Sequence, residues 1–256
     1  MNLVAILQAR SSSSRLPGKV LRPILGVPML LRQIERIQRS RMLHSLVVAT
    51  SSDASDDALA ATCAQNGIAC FRGSLDDVLD RFYQAAQSQK ATDVVRLTGD
   101  CPLADPEVID KVIQEYLEAN VDYAANALEP SYPDGLDVEA FRFAVLERAW
   151  RDAHMVSERE HVTPYIYKHP EQFKLLKVCN AENLSHLRWT VDNPEDFEFV
   201  SRIYEALYPG KADFTTADIL AYLRQHPGLG AVNAHLERNE GYQRSLAKDG
   251  STATDS

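Results

Sequence analysis

No acidic side chain precedes Glu35, although acids outnumber bases over the whole chain, 36 against 27. Cysteines are few. Cys63, Cys70, Cys101 and Cys179 form no CxxC pair and no Cys/His spacing, which excludes a zinc site and a disulfide framework and reads as reduced thiols. No apolar run approaches membrane-spanning length, and the N-terminal run is too short for a signal peptide, with Arg10 following at once. The expectation is a cytoplasmic protein with no membrane partner. A net charge of -9 argues against a general nucleic-acid binder, which needs an extended basic surface, but a nucleotide needs only a local basic pocket. Both common nucleotide fingerprints are missing. There is no GxGxxG, and around Gly18-Lys19 a Walker A loop fails because Val20 replaces its Ser/Thr and Ser13 its first glycine.

The acid-free segment does contain Arg10, Arg15, Lys19 and Arg22, in a loop that also holds the run Ser11 to Ser14. It follows Leu3-Val4-Ala5-Ile6-Leu7, which reads as a buried strand. A cationic loop of small residues at a strand's carboxyl end is where open α/β proteins hold phosphates; the alternative is a solvated basic loop. Further strands are expected at Leu46–Thr50, Ile68–Phe71 and Val94–Thr98, with helices between them carrying Leu30, Leu31, Ile34 and Ile37, then Val78, Leu79, Phe82, Ala85 and Ala86. Ser74 has capping-box spacing ahead of the second helix, and Asn66-Gly67 reads as a helix stop. Such β-α-β units imply a doubly wound α/β fold around a mainly parallel sheet.

Asp105-Pro106 opens another helix, and further helices are expected over Phe143–Ala153, Glu158–Lys168 and from Asn193-Pro194. Strands are expected at Phe173–Val178 and Leu187–Val191. With 45% hydrophobic residues, 1–247 reads as one domain with a small α+β insertion around 130–167, and 248–256 as a disordered tail.

Two aspartates are expected to end apolar strands, Asp100 after Leu97-Thr98-Gly99 and Asp192 after Trp189-Thr190-Val191. Carboxylates on the loop's edge of the sheet suit Mg²⁺ held against phosphate oxygens, whereas taken singly each also fits a turn or helix cap. Asp134, Asp137 and Glu139 follow a Pro/Gly turn, and Glu158, Glu160 and His161 sit at a helix start. Asp137, Glu139, Glu160 and His161 suit sugar hydroxyls or proton removal; helix-end charge stabilisation and packing would equally explain them.

Gln8-Ala9-Arg10, Arg15-Leu16-Pro17-Gly18-Lys19, Leu97-Thr98-Gly99-Asp100-Cys101-Pro102-Leu103 and Val191-Asp192-Asn193-Pro194-Glu195-Asp196 together resemble the cytidylyltransferase superfamily, which includes CMP-sugar-acid synthetases. Within it the spore coat polysaccharide biosynthesis protein F group is nearest. The likeness extends through Phe71-Arg72-Gly73-Ser74, Asp76 to Tyr83, Tyr132 to Glu139 and Glu158 to Tyr165, over about residues 3 to 207. The resemblance implies a nucleotide-diphospho-sugar transferase-like fold, CTP as co-substrate, Mg²⁺ as cofactor, a sugar or sugar acid as acceptor and a homodimer, in surface polysaccharide or glycoconjugate biosynthesis. It also implies nucleotide contacts at Gln8, Ala9, Arg10, Ser11, Arg15, Lys19, Arg72, Thr98, Gly99 and Asp100, catalytic roles for Lys19, Asp100 and Asp192, and metal ligation by the two aspartates. Two other readings compete. A glycosyltransferase would commonly carry a metal-binding Asp-x-Asp, which this chain lacks, and a non-catalytic nucleotide-binding module would not need both aspartates.

Overall fold

Along the first strand Leu3, Ala5 and Leu7 face one way and Val4 and Ile6 the other, all fully buried. A strand buried on both faces needs cover on both sides, which is the condition for a parallel sheet between two helical layers. The structure, a computed structural model, describes residues 1–238 and 240–252.

In chain order the first half comprises β1 (Leu3–Gln8), a two-stranded hairpin of β2 (Pro23–Ile24) and β3 (Val27–Pro28), α1 (Met29–Ile37), β4 (Ser45–Ser51), α2 (Asp57–Gln65), β5 (Ala69–Gly73), α3 (Val78–Ser88) and β6 (Asp93–Thr98). There follow α4 (Pro106–Ala119), β7 (Tyr123–Ala125), β8 (Glu139–Arg142), α5 (Phe143–Asp152), α6 (Val156–His161), α7 (Pro164–Tyr167) and β9 (Leu175–Lys177). Helices α8 (Pro194–Leu207), α9 (Thr216–Gln225), α10 (Pro227–Gly230) and α11 (Glu240–Thr252) close the described chain. The main sheet has the order β5-β4-β1-β6-β8-β7-β9, in which β8 alone runs against its neighbours.

Apolar residues of α1, α4 and α8, such as Leu30, Ile109 and Val200, pack on one face. Those of α3 and α5, such as Phe82 and Leu146, pack on the other. The expected doubly wound, mainly parallel α/β sheet is therefore present. The stretch 130–167 contributes β8 to the sheet, and α5, α6 and α7 to the same side as α3.

Several local expectations differ. The N-cap before α3 is Asp77, whose side chain accepts from the Asp80 N–H, while Ser74 Oγ accepts from the Asp77 N–H one turn earlier. The helix expected over Glu158–Lys168 is two short ones, because Val162 turns the chain at φ 73 and ψ -55, with the Thr163 N–H donating to the His161 carbonyl at 2.9 Å. That is a γ-turn, strained for a β-branched residue. Residues 187–191 form no strand beyond a single bridge, Asp134 to Arg188. The tail expected at 248–256 is helical through Thr252 as the end of α11, held by polar contacts that apolar content does not report; residues 253–256 lie outside the described residues.

Candidate active site

The basic loop leaves the sheet at Gln8 and is fastened at its base. The Ser11 N–H donates to Asp56 Oδ1 at 2.6 Å, while the Ser11 carbonyl accepts from Ser13 and Gly18, each at 2.9 Å. Gly18 takes the left-handed conformation at φ 67, which glycine adopts at little steric cost, and starts a short 3₁₀ turn that carries Lys19 inward. Ser11 was expected to meet the nucleotide, but its N–H is committed to Asp56, itself buried and bonded to Ser51. The backbone N–H groups of Ser14 and Arg15 instead donate to no protein acceptor among the described residues, and both residues line the cavity beside the loop.

Lys19, Asp100 and Asp192 meet. Lys19 Nζ lies 3.3 Å from Asp100 Oδ2 and 2.9 Å from Asp192 Oδ1, and donates to the Val191 carbonyl at 2.7 Å. Burial disfavours the Lys19 ammonium, but the two aspartates outweigh it and raise its pKa. Burial likewise opposes the Asp100 carboxylate, and Lys19 with hydrogen bonds from Thr98 and Cys101 holds its pKa below the usual value. Asp192 Oδ2 meets Arg15 at 3.0 Å and Arg188 at 3.3 Å.

Asp192 reaches this point without ending a strand. The segment before it is pinned by Trp189 N–H to the Asp134 carbonyl at 2.6 Å and Val191 N–H to the Asp100 carbonyl at 2.7 Å. Asn193 caps α8, and Asp196, bonded to the backbone N–H groups of Asp192 and Asn193, completes that cap. The Asp192 side chain is thereby released from capping duty. Gly99 brings the ends of β1 and β6 together, since a Cβ there would fall 2.8 Å from the Ala9 Cβ.

Around this cluster run two connected chambers of about 460 Å³ each, sharing Arg15, Arg96, Asp100, His161 and Asp192 among their walls. The first is lined by Gln8, Ala9, Arg10, Thr98 and Gly99 with the basic loop, and presents six cationic side chains against three carboxylates. The second reverses this balance, six carboxylates against three arginines. Asp137 lies in the second chamber and is tied to Arg238 at 2.5 Å. Glu139 is there too, but its oxygens already accept from Tyr123 at 2.7 Å, Thr163 at 2.8 Å and Arg96 at 2.5 Å. Burial, with Asp137 alongside, pushes Asp134 up to about 7 against the opposing pull of Arg188 at 3.2 Å and Arg238 at 3.7 Å.

Glu160 and His161 line the first chamber, with His161 reaching both, and each is covered by α11. Ser245 Oγ donates to Glu160 at 2.7 Å and pairs with His161 Nε2 at 2.9 Å. Burial and the nearby Arg96 lower His161 to about 4, so its ring is neutral at pH 7. Arg72, read from the resemblance as a nucleotide contact, stands apart from these residues. It lies outside both chambers, donating to the Ser51 carbonyl at 2.9 Å and pairing with Asp57 at 2.7 Å, and so fastens β5 to the start of α2. The wall formed by α11 was missed altogether, because its sequence lacks the apolar spacing by which helices are recognised.

Among the described residues no group of three or more His, Cys, Asp and Glu converges as a metal cage. The Asp100 and Asp192 carboxylates nevertheless converge on a single cationic nitrogen, Lys19 Nζ. Two hard oxygen donors beside a phosphate-sized cationic chamber match what Mg²⁺ takes, one or two carboxylates with phosphate and water completing its shell. The residues present fit that ion.

A family model described as cytidylyltransferase matches residues 4–225. The spore coat polysaccharide biosynthesis protein SpsF of Bacillus subtilis is 33% identical over 234 residues, 88% of this chain and 95% of that protein. A 3-deoxy-manno-octulosonate cytidylyltransferase of Geobacter sulfurreducens is 37% identical over 120 residues, 46% of each chain. Among solved structures, a cytidylyltransferase from Leptospira borgpetersenii superposes with a TM-score of 0.86 at 28% identity, covering 94% of this chain and all of that one.

Proposed function

The chain belongs to the cytidylyltransferase family, and from that membership we propose that it transfers the cytidylyl group of CTP to a hydroxyl of a sugar or sugar acid, releasing pyrophosphate. The observation that carries this reading is the position of Lys19, Asp100 and Asp192 where a cationic chamber meets an acidic one. The cationic side suits the triphosphate; the carboxylates of the acidic side suit sugar hydroxyls, and Arg96 and Arg188 are the cations that a sugar-acid carboxylate would meet there. A nucleotide spanning the first chamber would present its α-phosphorus at the junction. There the acceptor oxygen forms the new P–O bond, the bond to the pyrophosphate oxygen breaks, and the hydroxyl proton leaves.

Arg10, Arg15 and Lys19 would bind the phosphate oxygens, where preorganised cations stabilise charge gathering on the leaving group. Asp100 and Asp192 would hold Mg²⁺, which supplies charge neutralisation across the phosphates when bound. Asp134 is the second-chamber acid whose proton affinity matches neutral pH, as a proton acceptor for the attacking hydroxyl requires. Glu139, with three protein donors, orients Arg96, Tyr123 and Thr163 around the acceptor. The finer elements of this reading are the ion, a role in polysaccharide or glycoconjugate synthesis and a homodimer through 130–167.

Incubating the protein with each nucleoside triphosphate, Mg²⁺ and a panel of neutral sugars, amino sugars and sugar acids tests the reading by pyrophosphate release. CTP with one sugar class should give turnover; release with UTP or GTP but none with CTP would replace it.

A further inference from the structure

Four residues of α11 line the cationic chamber: Gly241, Arg244, Ser245 and Lys248. Their spacing of three, four and seven residues puts them on one face of the helix. That face is docked. Ser245 bonds Glu160 and His161, the Ser157 N–H donates to Asp249 Oδ1 at 2.9 Å, and the Tyr242 ring meets the His161 ring edge-on at 5.1 Å between centroids. At the helix start Glu240 pairs with Arg15, tying α11 to the loop on the opposite side of the chamber.

Two cations are carried on this docked face. Arg244 has no carboxylate within ion-pair distance among the described residues, in a protein of net charge -9. Lys248 Nζ stands 3.9 Å from Glu160 Oε2. Both line the first chamber and neither lines the second, whereas Arg15 lines both. Like Arg10 and Lys19 they line the first chamber alone, and from α11 they face the basic loop across it.

Resting on the cytidylyltransfer reading of the same cleft, we propose that α11 forms the outer wall of the nucleotide site and that Arg244 and Lys248 bind the β- and γ-phosphates, opposite Arg10, Arg15 and Lys19. The helix thereby holds the group that departs as pyrophosphate. A guanidinium can engage two phosphate oxygens at once, while the lysine acts as a point charge.

Calorimetric titration of inorganic tripolyphosphate, Mg·CTP and CMP into wild type, Arg244→Gln, Lys248→Gln and the double variant tests this. Each single change should weaken tripolyphosphate and CTP about fivefold and the double change about twentyfold or more, with CMP altered less than about twofold. Arg244→Lys should restore part of the loss. Unchanged tripolyphosphate affinity in a double variant that melts like wild type would overturn the assignment. An equal loss for CMP would also overturn it, because the helix would then act on the whole site. Tripolyphosphate carries no base, so its loss in the variants tests the phosphate contacts apart from the cytidylyltransfer reading, which is judged by wild-type turnover with CTP.

Discussion

Lys19 is a buried ammonium whose removal leaves Asp100 and Asp192 facing each other. Its side chain is 9% exposed and theirs are 28% and 21%, so the loss is softened by solvent. Lys19→Ala should cost about 1–3 kcal/mol without metal. If the two carboxylates hold Mg²⁺, the ion should restore more stability to the variant than it adds to wild type. Urea unfolding with and without millimolar Mg²⁺ measures this, and equal Mg²⁺ effects in both proteins would count against the metal site. Asp192→Asn keeps the shape and removes the charge, while Asn193 and Asp196 still cap α8. The fold should persist while turnover drops by about a hundredfold or more; activity within about threefold of wild type would reject a metal-binding or catalytic role.

The same residues set the pH response. The raised pKa of Lys19 means its pairing is complete below 10.5 and lost as pH climbs through the folded value. The lowered pKa of Asp100 means its contribution is complete above 3.8 and lost as pH falls. His161, depressed from 6.5 to about 4, is in the folded state a neutral ring. Its contribution is complete above pH 6.5 and is lost as pH falls from there to about 4, because the unfolded chain takes up the proton first. His161→Gln should therefore flatten stability across that interval. Denaturant midpoints measured against pH decide it, and an unchanged acid slope would refute the assignment.

Among the elements, the segment 188–192 delivers Asp192, and it depends on Gly135. That glycine has φ 107, and a Cβ on it would lie 2.5 Å from the Thr190 nitrogen. Gly135→Ala must push this backbone away, costing about 1–3 kcal/mol and disturbing Asp192. Activity should fall further than stability alone explains, when both are measured below the onset of melting. The same segment shows where sequence reading reached its limit. Val4, Ile6, Val94 and Val95 are continuous apolar runs in β1 and β6, and their strands were legible because such runs in central strands are buried on both faces. Trp189 and Val191 are just as buried, yet their N–H groups go to Asp134 and Asp100 rather than to a neighbouring strand. Apolar spacing reports burial and not the hydrogen-bond partner. The γ-turn at Val162 and the polar docking of α11 left no periodic trace, whereas Lys19, Asp100 and Asp192 were legible as a set through their motifs.

At the scale of the molecule, a chain of net charge -9 lines one chamber with six cationic side chains and sets an acidic one beside it. Such a local positive lining favours a triphosphate even in a protein of net negative charge. A ligand bound by the native state alone stabilises it, so Mg·CTP at about a hundred times its dissociation constant should raise the melting temperature by about 5–10 °C. Thermal-shift assays with all four triphosphates compare them, and a larger shift with another base would displace CTP.

The reversed strand β8 has one further consequence. Because β7 runs toward the cleft edge and β8 returns from it, Ala125 and Glu139 sit opposite each other, and residues 126–138 begin and end at the same rim. Asn126 staples the two ends, accepting from the Val138 N–H at 2.8 Å and donating to the Leu136 carbonyl at 2.7 Å. The stretch carrying Asp134 and Asp137 is thus a loop clipped at its base, and its inner part is fixed by the Leu184 N–H on the Ser131 carbonyl, the Asp134 N–H on the Leu187 carbonyl and the Trp189 N–H on the Asp134 carbonyl. Lengthening the loop at its outer part, residues 127–130, where Ala127 and Leu128 line the second chamber, would alter that chamber's rim while the sheet keeps its register and the segment carrying Asp192 keeps its anchors.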